Sequence, residues 1–403
     1  MSNMIATVPT FPLARECPID PPSWYADIRE AGGPRLVRMF DGKPTWVFTR
    51  YNDVRAILGD NRFTTVPSTP NYPMLSEARE AVLGLPPTLI RMDPPEHSRL
   101  RRMLTREFMV KRINLMRPYI LGIINERYDA IAAKGGQIDL MEDFALPVTS
   151  TVIAELLGVP KADHAFFQTQ TRRRMMLDVG AEIPVRASKE VLAYFDKIVA
   201  EKEADPHAQD DLISRLIIEQ VEPGHMTRDE LVIHADFLTL AGHETTANQI
   251  GLGVLNFLEN PDQKALLVAD PTLVNGAVEE ILRYNTIVQF NGPRVALEDI
   301  DVAGHVVKKG EAVFALIFAA NRDPDVFACP HQFDITRNAD AHVAFSFGVH
   351  QCLGQPLARA ELQLVFSTIF GRFPNLRLAV PFSDLVFNKD HVVYGLKAVP
   401  VLL

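Results

Sequence analysis

Between Pro34 and Thr49 the apolar residues fall in two short extended runs, Arg35-Leu36-Val37-Arg38-Met39 and Thr45-Trp46-Val47-Phe48-Thr49. Asp41-Gly42 lies between them, a turn pair that predicts a hairpin. Val54, Ile57 and Leu58 follow at helical spacing. Residues Thr64 to Pro87 are rich in Pro and Ser with few periodic apolar positions, which predicts a loop. From Pro95 the helical period returns and dominates to about Ala379, with short strands expected at Asp299 to Lys309 and near the C-terminus. The pattern predicts a mainly α fold with a small β portion.

One helix stands out. Thr227-Arg228-Asp229-Glu230 has the spacing of a capping box, and an apolar helix follows through Phe237, Leu240 and Ile250 to about Leu258. Its middle reads Ala241-Gly242-His243-Glu244-Thr245-Thr246. A mid-helix Gly costs about 0.5–1 kcal/mol relative to Ala, and polar Glu and Thr inside an apolar helix need partners. A local cost of this kind marks a candidate functional site, although Thr back-bonding to the preceding turn would also satisfy the hydroxyl.

Composition narrows the classes. The 403 residues carry a net charge of −9 and are 47% hydrophobic, enough for a large core. Pro and Gly are scattered, charge runs are short and no repeat is present, so a single domain over residues 1–403 is expected. The acidic balance argues against nucleic acid as a partner. Met1 to Pro22 has no apolar core typical of a signal peptide, and no apolar run approaches the ~20 residues needed to cross a bilayer. Cys17, Cys329 and Cys352 are too few and too dispersed for a disulfide framework. A soluble cytoplasmic protein is expected, with no membrane partner.

Cys352 lies in Phe345-Ser346-Phe347-Gly348-Val349-His350-Gln351-Cys352-Leu353-Gly354, just before a helical pattern at Leu357, Ala358, Leu362 and Val365. A thiolate there lies near a helix N-terminus, where unpaired N–H groups favour negative charge. Gly348 and Gly354 permit a tight turn and close backbone approach to a flat partner. With no second cysteine nearby, neither a zinc site nor a CxxC redox pair fits. A lone thiolate suits one axial position of a haem iron.

This stretch resembles the haem-ligand loop of cytochromes P450, Phe-x-x-Gly-x-x-x-Cys-x-Gly, at Phe345, Gly348, Cys352 and Gly354. Ser346 departs from it, because the family commonly has glycine there. The helix motif at Gly242 to Thr246 is similar to the family's Ala/Gly-Gly-x-Asp/Glu-Thr-Thr/Ser. The resemblance covers almost the whole chain from Pro12. It implies haem b (iron protoporphyrin IX) held by Cys352, between that loop and the long helix. It further implies that Gly242 lets the helix widen to admit O2, that Thr245 donates a hydrogen bond to oxygen, and that Glu244 passes protons inward. His97 and Arg101, four apart on one helical face, match one set of propionate contacts, and Arg294 and His350 match the other. Glu280-Ile281-Leu282-Arg283 is the family's Glu-x-x-Arg, with a structural role implied for Glu280 and Arg283. Its downstream partner arginine is expected to be Arg322, Arg337 or a nearby residue.

No flavin or iron–sulfur segment is visible in the sequence, so electrons are expected from a ferredoxin or flavodoxin with its reductase. Arg99, Arg101, Arg102, Arg106, Lys111 and Arg112 cluster in one segment and suggest a basic docking surface. The family layout places Phe237, Leu240, Ala241, Val288, Phe290 and Val393 at the substrate pocket. Their character suggests a small hydrophobic or aromatic substrate, hydroxylated or O-dealkylated by a monooxygenase. The likeness extends to bacterial P450s of the streptomycete xenobiotic, macrolide and vitamin D hydroxylating group, carried by Phe144-Ala145-Leu146-Pro147-Val148 and Leu156-Leu157-Gly158-Val159-Pro160. A fungal branch of that group reduces nitric oxide with NADH. That branch lacks the acid before the threonine and binds NADH with basic residues near the pocket mouth. Glu244 is present here, and Arg79 is the only cation between Thr64 and Pro87, which favours monooxygenation. A haem-based ligand sensor, which needs no acid–alcohol pair, and a peroxide-driven oxygenase, less economical beside an intact proton relay, are the remaining alternatives.

Overall fold

The N-terminal hairpin forms where the alternation places it. In the computed structural model, which describes residues 8–403 apart from Asp178, Asn291 and Asp390, ten strands occur. They are β1 (Arg35–Arg38), β2 (Pro44–Phe48), β3 (Phe63–Thr64), β4 (Gln137–Asp139), β5 (Pro293–Ala296), β6 (Ile300–Val302), β7 (His305–Val307), β8 (Ala312–Ala315), β9 (Arg377–Leu378) and β10 (Pro400–Leu402). β1 and β2 pair antiparallel with Arg35 opposite Val47. β2 then pairs in parallel with β8, and the five-stranded sheet runs β1-β2-β8-β5-β3. The strand region expected at Asp299 to Lys309 is the ribbon β6–β7. Its neighbours β5 and β8 join the N-terminal sheet, a pairing across some 250 positions that local pattern does not show.

The loop expected from Thr64 to Pro87 needs correcting. Thr64 closes β3, and a helix spans Glu77–Ala81, with the Ser76 side chain accepting the Arg79 N–H. Five residues are too few to display a period.

Helices fill the rest of the fold. The main ones are Glu96–Thr105, Val110–Lys134, Leu146–Leu157, His164–Met175, Glu182–Ala204, Arg228–Glu259, Val274–Asn285 and Gln355–Phe366. Arg228–Glu259 has both reciprocal bonds of the capping box between Thr227 and Glu230. Nearly all of its faces are buried, as expected for an apolar helix running through a core. The largest apolar cluster surrounds it and includes Val152, Leu255, Phe257, Ile281 and Leu362. Two smaller clusters lie against the sheet, one around Val54, Ile57 and Val313, the other around Phe11, Val37 and Phe314. The cysteine loop spans a boundary between clusters, because Phe345 packs on the large one and Phe347 on one of the small ones.

Candidate active site

The cysteine loop is shaped by its own backbone. Cys352 N–H donates to the Phe345 carbonyl at 2.8 Å, Ser346 N–H to Val343 at 2.8 Å, and Gln351 N–H to Gly348 at 3.0 Å. Gly348 has φ of +74°, and a Cβ there would lie 2.5 Å from the Leu58 carbonyl oxygen. Glycine is therefore required by close packing on the helix Tyr51–Gly59. Ser346 also holds positive φ, at 64°, so serine adopts the conformation that glycine meets more easily. A Cβ at Gly354 would meet nothing within 4 Å, which leaves that side of the loop open.

Cys352 is a free cysteine, half-buried, at the head of the helix Gln355–Phe366. Burial pushes its thiol up, opposed by the Gly354 and Gln355 N–H groups and by the charges of Arg101 and Arg359. A buried thiol with no cation at the sulfur stays protonated, and a metal ion supplies that cation. Arg359 escaped the sequence reading. Its guanidinium lies 4.7 Å from the centre of the Phe345 ring and forks onto Glu279 at 2.7 and 2.8 Å.

On the same side, the His97 and His350 rings lie 4.3 Å apart. Both nitrogens of His97 and Nδ1 of His350 are buried without a hydrogen-bond partner. Burial lowers both imidazoles, His350 to about 3. Arg294, on β5, is buried, and its guanidinium donates to the Pro293 carbonyl at 2.9 Å. Burial lowers it to about 10. Arg101 is half-buried and close enough to Cys352 for their charges to interact. Buried cations and unpartnered donors around one space require an anionic acceptor. The two propionates of haem supply that chemistry, so the residues fit the group.

The long helix Arg228–Glu259 carries the Glu244–Thr245 pair. Glu244 is buried, and burial raises its carboxyl to about 7, opposed by Arg172. The Thr245 hydroxyl donates to the Ala241 carbonyl at 2.6 Å, the back-bond that sequence left as an alternative. The helix continues unbroken past Gly242, where a Cβ would lie 2.9 Å from Ile153 on the helix Leu146–Leu157. Beside Glu244, His243 Nδ1 and His164 Nε2 are unpartnered. Both residues line a cavity of about 10 Å³, the room of one water.

The expected pocket residues divide. Val288 and Val393 form an isolated β-bridge. Phe237, Leu240, Ala241, Val288 and Val393 all belong to or pack on the large cluster. Phe290 does not join them. It packs edge-on against Phe11 at 5.5 Å in a cluster against the sheet.

Glu280 and Arg283 are fully buried, with Nε–Oε2 and Nη2–Oε1 both at 2.7 Å. Of the two candidate third members, Arg337 reaches Glu280 at 3.4 Å. Arg322 pairs with Asp20 at 3.0 Å. The basic segment also divides. Arg99 is tied to Glu230 and Arg112 to Glu107, Arg101 faces the cysteine, and Arg102, Arg106 and Lys111 are exposed.

Comparisons with known proteins agree with this geometry. The family model for cytochrome P450 matches residues 166–378. The chain is 43% identical over 397 residues to cytochrome P450-SU2 of Streptomyces griseolus, covering 97% of this chain and 96% of the relative. It is 42% identical to the vitamin D3 dihydroxylase of the same organism, covering 98% and 96%. Among solved structures, a mycinamicin VIII C21 methyl hydroxylase from Micromonospora griseorubida superposes with a TM-score of 0.93 at 37% identity, covering 98% of this chain and all of that one.

Proposed function

The chain belongs to the cytochrome P450 family, whose members bind haem b, and from that membership we propose that it is a haem-thiolate monooxygenase in which Cys352 is the iron ligand. The observation that carries the reading is the Cys352 loop on its backbone hydrogen bonds, with the His97 and His350 rings packed together, their buried nitrogens unpartnered, and Arg294 buried. The 403 residues are read as one haem domain.

Bound haem supplies iron that activates O2, so that one oxygen atom enters the substrate and the other leaves as water. The chain's residues manage charge, protons and exclusion of water. Arg101, Arg294, His97 and His350 would hold the propionates. With its carboxyl near 7, Glu244 can both take and release a proton around neutral pH. Thr245 must turn from the Ala241 carbonyl to donate elsewhere, while its oxygen can accept a proton in place. The apolar side chains of Leu240, Ala241 and Val288 hold a hydrophobic substrate. The printed names of the relatives, a vitamin D3 dihydroxylase and a mycinamicin hydroxylase, support that class. The single test is carbon monoxide added to the reduced protein. The red-shifted Soret band that gives the family its name is expected, and its absence would refute thiolate ligation.

Two further outcomes are expected. The rate of oxygenation should fall on the alkaline side with an apparent pKa of about 7, because a proton donor is lost as Glu244 ionises. In Glu244→Gln that limb should disappear and the remaining rate should be lower by about 10²–10⁴-fold. Persistence of the same limb in the variant would remove Glu244 from the relay. Electrons are proposed to come from an acidic ferredoxin or flavodoxin docking near exposed Arg102, Arg106 and Lys111. Arg102→Glu with Arg106→Glu should slow reduction several-fold at low salt and little at high salt, measured by stopped-flow. Equal rates at low salt would place the docking surface elsewhere.

A further inference from the structure

Resting on the monooxygenase reading above, we propose that Arg15 is a positioning residue that sets the room left for the substrate beside Val288 and Val393. Arg15 lies on the N-terminal segment ahead of the first helix, Trp24–Glu30. Its guanidinium grips the residue that follows each of the two valines. Nε and Nη2 both donate to Gln289 Oε1, at 2.9 and 2.5 Å. The same group lies over the Tyr394 ring, 3.7 Å from its centre, and 4.2 Å from the centre of the Phe318 ring. Nη1 donates to the Pro18 and Asp20 carbonyls, both at 3.3 Å. The Tyr394 hydroxyl donates to that same Pro18 carbonyl at 2.7 Å.

The wall formed by the two valines needs such a tie. Val288 and Val393 meet in an isolated bridge outside the named strands, with the Tyr394 N–H donating to the Ile287 carbonyl at 2.8 Å beside it. A single bridged pair without a ladder holds its separation weakly. Gln289 is joined to Val288, and Tyr394 to Val393, by one planar peptide, so displacing either carries its neighbour with it. Val288 packs on the large cluster together with Leu240 and Ala241 of the long helix, and Val393 is part of that cluster. A shift of the bridge therefore changes the space beside that helix. The segment that carries Arg15 is itself held. Asp20 pairs with Arg322 at 3.0 Å, and Phe11 packs on Phe290 and Phe314 at 5.5 and 4.9 Å. Burial lowers Arg15 to about 10, so it stays charged at neutral pH and keeps both its fork and its ring contacts.

The test is spectral titration of the haem-loaded protein with imidazole, 1-phenylimidazole and 1-(biphenyl-4-yl)imidazole. Each reports by ligating the iron, and only the aryl groups are long enough to press on the walls. In Arg15→Met the wall yields to bulk. The ratio of dissociation constants, biphenyl compound over imidazole, should therefore fall by about two- to fivefold, the weight of one cation–π contact. Imidazole itself should bind as in wild type. Gln289→Leu removes the same fork from the wall side and should lower the ratio likewise. The two substitutions together should do little more than either alone, because they act through one bond. Arg15→Lys keeps a cation over Tyr394 and should recover part of the wild-type ratio. A ratio unchanged or raised in both Arg15→Met and Gln289→Leu would overturn the proposal, as would equal weakening of all three ligands, which leaves Arg15 a part in stability alone. Should Arg15→Met fail to fold, Gln289→Leu decides the matter by itself. A normal carbon monoxide band in the same sample separates failure of this proposal from failure of the haem-thiolate assignment.

Discussion

Cys352→Ser is expected to abolish the red-shifted carbon monoxide band and bring oxygenation to background while the chain stays folded. The substitution changes one atom. The loop hydrogen bonds that shape this turn are made by backbone groups, with Cys352 itself donating through its N–H to Phe345. Gly354 and Gln355 N–H groups remain aimed at the side chain, whose oxygen can accept them. What disappears is the soft, electron-rich sulfur ligand that pushes charge toward the iron. Circular dichroism should match wild type, and the haem-to-protein ratio separates loss of ligand character from loss of the cofactor. A wild-type band in this variant would show that the sulfur is not the ligand.

The second large effect is expected from Glu280→Ala. Its carboxylate accepts two bonds from Arg283, the Asp334 N–H at 3.0 Å and Arg337 at 3.4 Å, all in a site with no solvent. Removing it leaves Arg283 charged and buried, a cost of about 3–5 kcal/mol. A change of that size is a large share of the stability of a typical domain. Urea unfolding should show it, and haem incorporation should fail. Glu280→Leu combined with Arg283→Met should be less damaging than Glu280→Ala alone, because both charges leave together. Normal Soret absorbance in Glu280→Ala would contradict the structural role.

Chemistry carried by local spacing was legible in the sequence. The capping box at Thr227, the hairpin at Asp41-Gly42 and the cysteine loop each need a few residues at fixed offsets, and each forms. What depends on distant partners was not legible. β5 and β8 are four-residue runs whose sheet neighbours include strands near the N-terminus. Phe290 packs on Phe11, a contact that no local pattern connects to it. The choice between Arg337 and Arg322 was open because both lie in suitable loops, and the geometry separates them by which acid each one meets. Arg359 was hidden because a charge on a helix reads as solvated surface, whereas Phe345 and Glu279 hold it in place.

The turn around Cys352 is fixed by contacts among Val343, Phe345, Gly348 and Leu58. Ordering such a segment costs about 1–2 kcal/mol per residue in backbone entropy. Contacts within the protein offset part of that cost, so less of it falls on the porphyrin contacts. Loosening Gly348 is expected to weaken haem affinity while leaving every ligating atom unchanged.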